Sequence, residues 1–232
     1  DLYEQNAVVQ KLMAEKVVNN LSGVRKQFDT VLELGCGTGV LTKEFVKKIR
    51  FNEYYANDLV EKSKIYIKEI LPDATFFYGN ALKIKPKKKV DLIVSNAMFQ
   101  WFNSLKSVAG YCNKLLENDG ILAFSTFSDK NFQEIKSLTG LSLDYKSFES
   151  IQDEFKNDFE ILYAEEFQKK LMFSNPLELL AHMKNTGVNS LMAQRWTFKQ
   201  VKEFCDKYKE KYPDISLTYS PVIIVCKKCN EH

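Results

Sequence analysis

The sequence predicts an α/β fold: a mostly parallel sheet with helices on both faces. Three observations predict it. Between residues 30 and 127, short β-branched and leucine-rich runs alternate with stretches of helical periodicity. A glycine-rich turn joins the first of those runs to the helix after it. An acidic residue closes the second run, at the edge where open α/β sheets bind ligands.

The elements follow in order. A helix is predicted from about residue 3 to 21, with Val17, Val18 and Leu21 on its apolar side. Residues 30–35 read as a strand, and 38–49 as a helix through the spacing of Leu41, Phe45, Val46 and Ile49. Strand 53–59, helix 60–71, strand 74–79 and strand 90–95 come next. In 104–116, Leu105, Val108, Ala109, Cys112, Leu115 and Leu116 share one helix face, and 120–127 is a continuous apolar strand. The alternation then weakens. Residues 129–141 read as a helix, 143–148 as irregular, 151–155 as a short helix, 159–172 as one long strand, 177–185 and 198–212 as helices, and 216–227 as a final strand. The chain is read as one domain over 1–232, with 129–200 added over the ligand-binding edge as a partial lid.

Composition narrows the function. Apolar residues are 45% and charged residues 27% of the 232, ordinary globular values that exclude a disordered or coiled-coil chain. The longest apolar runs fall well short of the ~20 residues of a membrane span, so no membrane partner is expected. A net charge of +3 without a basic face argues against nucleic acid. The chain reads without a secretory leader, and five cysteines, an odd number, argue against a disulfide framework; a monomer in the cytoplasm is expected. With only His182 and His232, a zinc site or a Ser–His relay is disfavoured and no metal is expected. Cys226-Lys227-Lys228-Cys229 has metal-type spacing but no second pair.

The strongest motif is Glu33-Leu34-Gly35-Cys36-Gly37-Thr38-Gly39, ending a predicted strand and opening a predicted helix. Glycines belong where the backbone turns tightly and where a ligand lies against bare N–H groups. Nineteen residues after Gly39 stands Asp58, placed to accept two hydrogen bonds from a ribose diol, with Leu59 beside it. The glycines run G-x-G-x-G with Val40 in sixth place, a departure from the dinucleotide fingerprint, and Glu33 suits a ligand with a cationic amino-acid group. The pattern resembles the first motif of class I S-adenosylmethionine (SAM) methyltransferases. Gly79-Asn80-Ala81, at the end of the third strand, matches the place where that superfamily sets residues beside the adenine amine.

More closely, the chain resembles the malonyl-acyl-carrier-protein O-methyltransferases of biotin synthesis. The resemblance rests on Tyr3-x-x-x-Ala7-x-x-Gln10, on Leu32 to Gly39, on Ser95-Asn96-Ala97-x-Phe99-Gln100-Trp101, and on Phe124-Ser125-Thr126-Phe127 followed by Phe132-Gln133-Glu134. It is clear over 3–135 and rests on element order from 143 to 228. Trans-aconitate methyltransferases share much of it, which keeps a small dicarboxylate as the alternative substrate. A non-catalytic nucleotide-binding module is the alternative of another class.

The resemblance implies a seven-stranded, mostly parallel sheet with the last strand antiparallel. It implies SAM as methyl donor and a malonyl thioester on acyl-carrier protein as acceptor. It implies SAM contacts from Gln10, Glu33, Gly35, Cys36, Gly37, Thr38, Gly39, Asp58, Leu59, Asn80, Ala81 and Asn96. Tyr3, Gln100 and Trp101 are the implied residues at the transfer site. Tyr3 and Gln10 lie seven apart, on one face of the predicted first helix. Phe99 and Phe102 fit core packing at least as well as a site role. Arg195 reads as a surface charge that is also able to pair with a carboxylate, and His182 as a packed helix residue.

Overall fold

The computed structural model describes residues 7–186 and 196–229. Its main sheet has seven strands: β1 (Thr30–Leu34), β2 (Glu53–Asp58), β3 (Thr75–Tyr78), β4 (Val90–Ser95), β5 (Leu116–Phe127), β6 (Phe159–Glu166) and β9 (Pro221–Lys228). They lie in the order β3-β2-β1-β4-β5-β9-β6. The first five are mutually parallel, and β9, the last strand in the chain, runs antiparallel to both β5 and β6. The strand order reverses between β1 and β4. That opens a crevice at their C-terminal ends, where the glycine turn leaves β1 and Asn96 follows β4.

All five residues of β1 are buried, as a central parallel strand covered on both faces requires. The period of two divides the sheet residues between two cores. Val31, Leu92, Val94, Ala123 and Val225 pack with Met13, Val17 and Leu21 of α1 (Val8–Val24) and with Leu41 and Phe45 of α2 (Val40–Lys48). Leu32, Leu34, Ile93, Phe124 and Ile224 pack on the other face with Val108 and Cys112 of α4 (Leu105–Leu115) and with Ile151 and Phe155 of α6 (Phe148–Phe155). Helix α3 (Ser63–Ile70) links β2 to β3, and a short 3-10 turn at Ala81–Lys83 stands where a longer crossover helix is absent.

Two predicted strands are each divided. The run read as 159–172 is β6, at the edge of the main sheet, followed by β7 (Lys169–Met172). The run read as 216–227 is β8 (Ser216–Tyr219) followed by β9, and β7 and β8 pair with each other as a separate antiparallel ribbon. The break lies in a buried polar cluster that hydrophobic periodicity does not register. Ser220 N donates to Asn131 Oδ1 (3.0 Å), the Ser128 and Ser220 hydroxyls meet at 3.0 Å, and Ser128 N donates to Ser220 O (3.0 Å). Strand β5 also starts earlier than expected: Leu116 pairs with Val90 before the register shifts to Leu92 with Ile121.

The 129–200 stretch serves two structures. Helix α6 and strand β6 belong to the layers of the main sheet. Helices α5 (Gln133–Thr139) and α7 (Pro176–Asn185), with the β7–β8 ribbon and α8 (Phe198–Lys211), extend past the C-terminal end of β5, because β9 begins at Pro221 opposite Phe127 and β8 precedes it. Leu179, Met183, Tyr208, Leu217 and Tyr219 of this outer unit are buried and continue the core that α1 covers on the main sheet. Glu134 holds the unit together, accepting from Thr218 N at 3.1 Å and from the Thr218 hydroxyl at 2.5 Å. His182 is buried there, its Nε2 2.8 Å from the Tyr219 hydroxyl, and desolvation lowers its pKa. A packed, neutral histidine accords with the sequence reading.

The last strand is fastened by a buried cation. Lys228 Nζ donates to the carbonyls of Asn113 (2.8 Å) and Leu116 (3.0 Å), at the end of α4 where helix carbonyls lack intrahelical partners. Lys228→Met preserves the stem and leaves both carbonyls without the ammonium. The expected loss is about 2–3 kcal/mol of unfolding free energy in urea titrations, with SAM affinity unchanged.

Candidate active site

Because β1 is buried on every side, the chain leaving it has to turn at once over the sheet edge. Gly35, Gly37 and Gly39 all have left-handed φ, +70°, +52° and +78°. Two of them also admit a close neighbour. A Cβ on Gly35 would lie 2.5 Å from Met98 Cγ, and one on Gly39 2.5 Å from Ile70 Cδ1, whereas Gly37 has open space. The turn is tied to β2 by its backbone, since Gly35 N and Cys36 N both donate to Asn57 O, at 2.9 and 3.0 Å. Buried Asn57 then reaches the other way, its Nδ2 donating to Phe77 O and Gly79 O, both at 2.9 Å.

Asp58 spans the mouth of this turn. Its Oδ2 accepts from Gly37 N at 2.7 Å and its Oδ1 from Val60 N at 2.8 Å. The carboxylate is thus fixed by two backbone donors and retains further lone pairs facing the crevice. A cleft of about 620 Å³ opens here, lined by Gly35, Asp58, Leu59, Asn80, Ala81, Asn96 and Trp101 of the expected set. Leu59 and Val60 present exposed apolar side chains to it. Asn80 caps the 3-10 turn through its Oδ1, which accepts from Leu82 N at 2.9 Å.

Other expected residues stand behind the cleft. Glu33 is buried beneath the turn, where Thr42 Oγ1 (2.6 Å) and the Tyr54 hydroxyl (2.5 Å) both donate to its Oε2. It fastens α2 to β2. Desolvation raises its pKa to about 7 against the pull of those two donors, and the nearby charge of Asp58 adds to the rise. Cys36 is buried, and desolvation drives its thiol pKa far up, so it packs as a neutral thiol. Asn96 has both ends of its amide engaged: Nδ2 donates to Gln10 O (3.0 Å), and Oδ1 accepts from the Ser125 hydroxyl (2.6 Å). Ser125 Oγ also accepts from Ala97 N at 3.0 Å, holding Ala97 at a φ of +50°. Gln100 is engaged likewise, donating to Ala97 O at 2.6 Å and accepting from the Thr126 hydroxyl at 3.3 Å. Tyr3 and Arg195 lie outside the described residues.

Among the described residues, two buried side-chain polar atoms lack a partner: Gln10 Oε1, on α1, and Thr38 Oγ1, in the glycine turn. Buried groups left so cost about 1–3 kcal/mol each. A ligand carrying an amino-acid group supplies a donor for one and an acceptor for the other. The crevice also offers a carboxylate for a ribose diol, an apolar shelf at Leu59 and Val60, and the amide of Asn80 for a base edge. The residues that line the cleft fit the nucleoside half of SAM.

Comparison with known proteins decides the family. The methyltransferase-domain family matches residues 6–195. A Bacteroides thetaiotaomicron protein bearing the name malonyl-acyl-carrier-protein O-methyltransferase is 35% identical, over 97% of this chain and 93% of its own length. One of the same name from Calditerrivibrio nitroreducens is 35% identical over 99% and 93%. The chain belongs to the malonyl-acyl-carrier-protein O-methyltransferase family. Its members are SAM-dependent enzymes, and the class I methyltransferase fold is shared by distant structures. The YcgJ protein of Bacillus subtilis superposes with a TM-score of 0.65 at 12% identity, covering 94% of this chain and 99% of that one. The Bradyrhizobium japonicum N-methyltransferase NodS, solved with S-adenosyl-L-homocysteine, gives 0.55 at 11% identity, covering 93% and 86%.

Sequence reasoning missed several groups of this methyltransferase cleft. Asn57, Met98 and Asn103 line it, and Phe102 does so too, whereas Phe99 is core, its ring 4.6 Å from that of Phe124 and tilted against it. Only Ser125 carried a signal, as a polar residue inside the apolar run of β5. Of the lysine run at 83–89, Lys88 lies at the opposite edge of the sheet, where it pairs with Asp29 (3.0 Å) and Glu53 (2.9 Å) at the starts of β1 and β2. Cys226 is buried and Cys229 exposed, on opposite sides of β9 and its end.

Asp58→Ala removes an acceptor for the ligand and the clamp on Gly37. SAM affinity should fall by about 1.5–3 kcal/mol in calorimetric titration, while NAD fails to bind either protein. Glu33 predicts a pH dependence. Its folded pKa of about 7 lies above the ordinary 4.5, so the fold holds its proton more tightly than the unfolded chain does. The stability it permits is complete below about pH 4.5 and declines as pH rises through 7. Between pH 5 and 8 the ligand-free protein should lose on the order of 3 kcal/mol at most, and Glu33→Gln should flatten that slope in denaturant titrations at several pH values.

Proposed function

We propose that the chain transfers a methyl group from SAM to the free carboxylate of a malonyl thioester on acyl-carrier protein, an early step of biotin synthesis. The proposal gives it a monomeric, cytoplasmic existence. The observation that carries this reading is the 35% identity to relatives of that name across nearly the full length of both chains, the outer unit beyond the sheet edge included.

The chemistry asks little of the protein. When bound, SAM supplies an electrophilic methyl on a sulfonium. A carboxylate is already ionised near neutral pH and needs no base to attack it. The protein's tasks are to align oxygen with methyl and to keep water out. Opposite charges disappear as the ester forms, so a site poor in water favours the reaction. Trp101, at the cleft wall, and the 97–103 segment braced by Gln100 and Asn96 are the alignment elements. Tyr3 and Gln10, on the N-terminal segment, close over the donor. The outer unit covers the acceptor side and opens to admit the thioester arm.

The test compares acceptors at equal concentration with radiolabelled SAM. The malonyl carrier protein should be methylated with the highest kcat/KM, malonyl-CoA next, and free trans-aconitate or malonate at least about a hundredfold less well. A preference for a free dicarboxylic acid would transfer the chain's role to small-molecule methylation. Absence of any methyl transfer would leave it as a SAM-binding module.

A further inference from the structure

A second cavity, of about 350 Å³, lies against the first. It is bounded by Gln100 to Asn103 after β4, by Thr126 and Phe127 at the end of β5, and by residues 143–146 of the loop between α5 and α6. Trp101, Phe102 and Asn103 line both spaces, so they form the partition between donor cleft and second cavity. We propose that this cavity seats the acyl end of the acceptor, and that Lys146 recognises its negative charge. The inference rests on the malonyl-thioester reading above.

The cavity is rich in donors. Gln100 Nε2 commits one hydrogen to Ala97 O and keeps the other. The Tyr145 hydroxyl accepts from Asn131 Nδ2 at 3.1 Å and keeps its own proton, which burial secures by raising the pKa to about 12. Lys146 is the one cation among the lining residues. Among the described residues it pairs with Asp144, 3.6 Å away, which also lines the cavity but whose side chain is 93% exposed and therefore screened by water. Phe99, Phe102, Phe127, Leu143 and Ile151 supply the apolar walls. Donors on apolar walls, with one cation and an Asp144 carboxylate that is 93% exposed to water, complement a short acyl thioester: two oxygens of a carboxylate, one thioester carbonyl and a methylene. The backbone positions Lys146 for this, since its carbonyl accepts from Asp129 N at 2.9 Å, anchoring the loop to the end of β5.

The cation has a defined limit. A charge held tightly against the attacking oxygen would oppose its loss of charge during methyl transfer. Because the charge that Lys146 recognises is consumed in the reaction, its attraction is greatest before methyl transfer, so losing it raises KM and does not lower kcat.

The experiment uses full-length protein with carrier protein bearing either a malonyl group or an isovaleryl group, the neutral isostere of malonyl. Lys146→Gln should raise KM for the malonyl carrier about tenfold or more, leaving kcat and the Kd for SAM within threefold. Inhibition by the isovaleryl carrier should be unchanged, and Lys146→Arg should restore most of the malonyl KM. Equal weakening of both carriers would assign Lys146 to the phosphate of the arm and overturn the proposal, as would an unchanged malonyl KM. Thermal unfolding of each variant separates either result from misfolding. Failure of the wild-type protein to methylate the malonyl carrier refutes the underlying function instead. In that event, unweakened binding of the malonyl carrier to Lys146→Gln overturns the subsite as well.

Discussion

One buried residue, Asn57, fastens the donor half of the site. Its backbone carbonyl receives two N–H groups of the glycine turn, and its side-chain amide donates to two carbonyls at the end of β3. The turn, β2 and β3 are thereby fixed relative to one another around a residue with almost no access to water. In such a setting each of these bonds is hard to replace, because its loss leaves a buried polar group unpaired. Asp58 stands next in sequence and inherits that rigidity, so its carboxylate needs only the two backbone donors it already has to hold its orientation. The left-handed glycines allow the geometry; Asn57 makes it unique.

A second polar relay does for the acceptor half what Asn57 does for the donor half. Asn96 connects α1, through Gln10 O, with β5, through Ser125, and Ser125 holds the left-handed Ala97. The 3-10 turn at Phe99–Trp101 follows directly, so the position of Trp101 depends on the packing of the first helix. Phe99 anchors the turn from below against Phe124 and Phe155. The residues expected to touch ligand thus divide into those that face the cleft, such as Asp58 and Trp101, and those that stand behind it, such as Glu33.

The distribution of charge matches a reaction in which charge is consumed. Burial raises the Glu33 pKa to about 7, Cys36 is a neutral thiol, and both lie behind the cleft and not on its walls. No general base is needed for a carboxylate acceptor. Catalysis in such a site comes from alignment and from the exclusion of water.

Much of this was legible in the residues. Alternating periodicities announced the layered parallel sheet, and the turn from Glu33 to Gly39 with Asp58 announced the donor site, because those constraints are local: a period, a positive φ, a carboxylate at a strand end. The division of 159–172 and 216–227 was not legible, since it is set by Asn131, Ser128 and Ser220 meeting across ninety residues of chain. Nor was the difference between facing and holding residues: Glu33 and Asp58 are both acids near one turn, and only the packing buries the first and turns the second to the cleft. The cavity beside Trp101 joins segments far apart in sequence, so no motif marks it. The sequence by itself determined the fold class, the donor and the family, through spacing that a single strand–turn–helix unit enforces. Which side chains are buried, which remain free to bind, and where a second substrate has room were decided by long-range contacts that exist only once the chain has closed on itself.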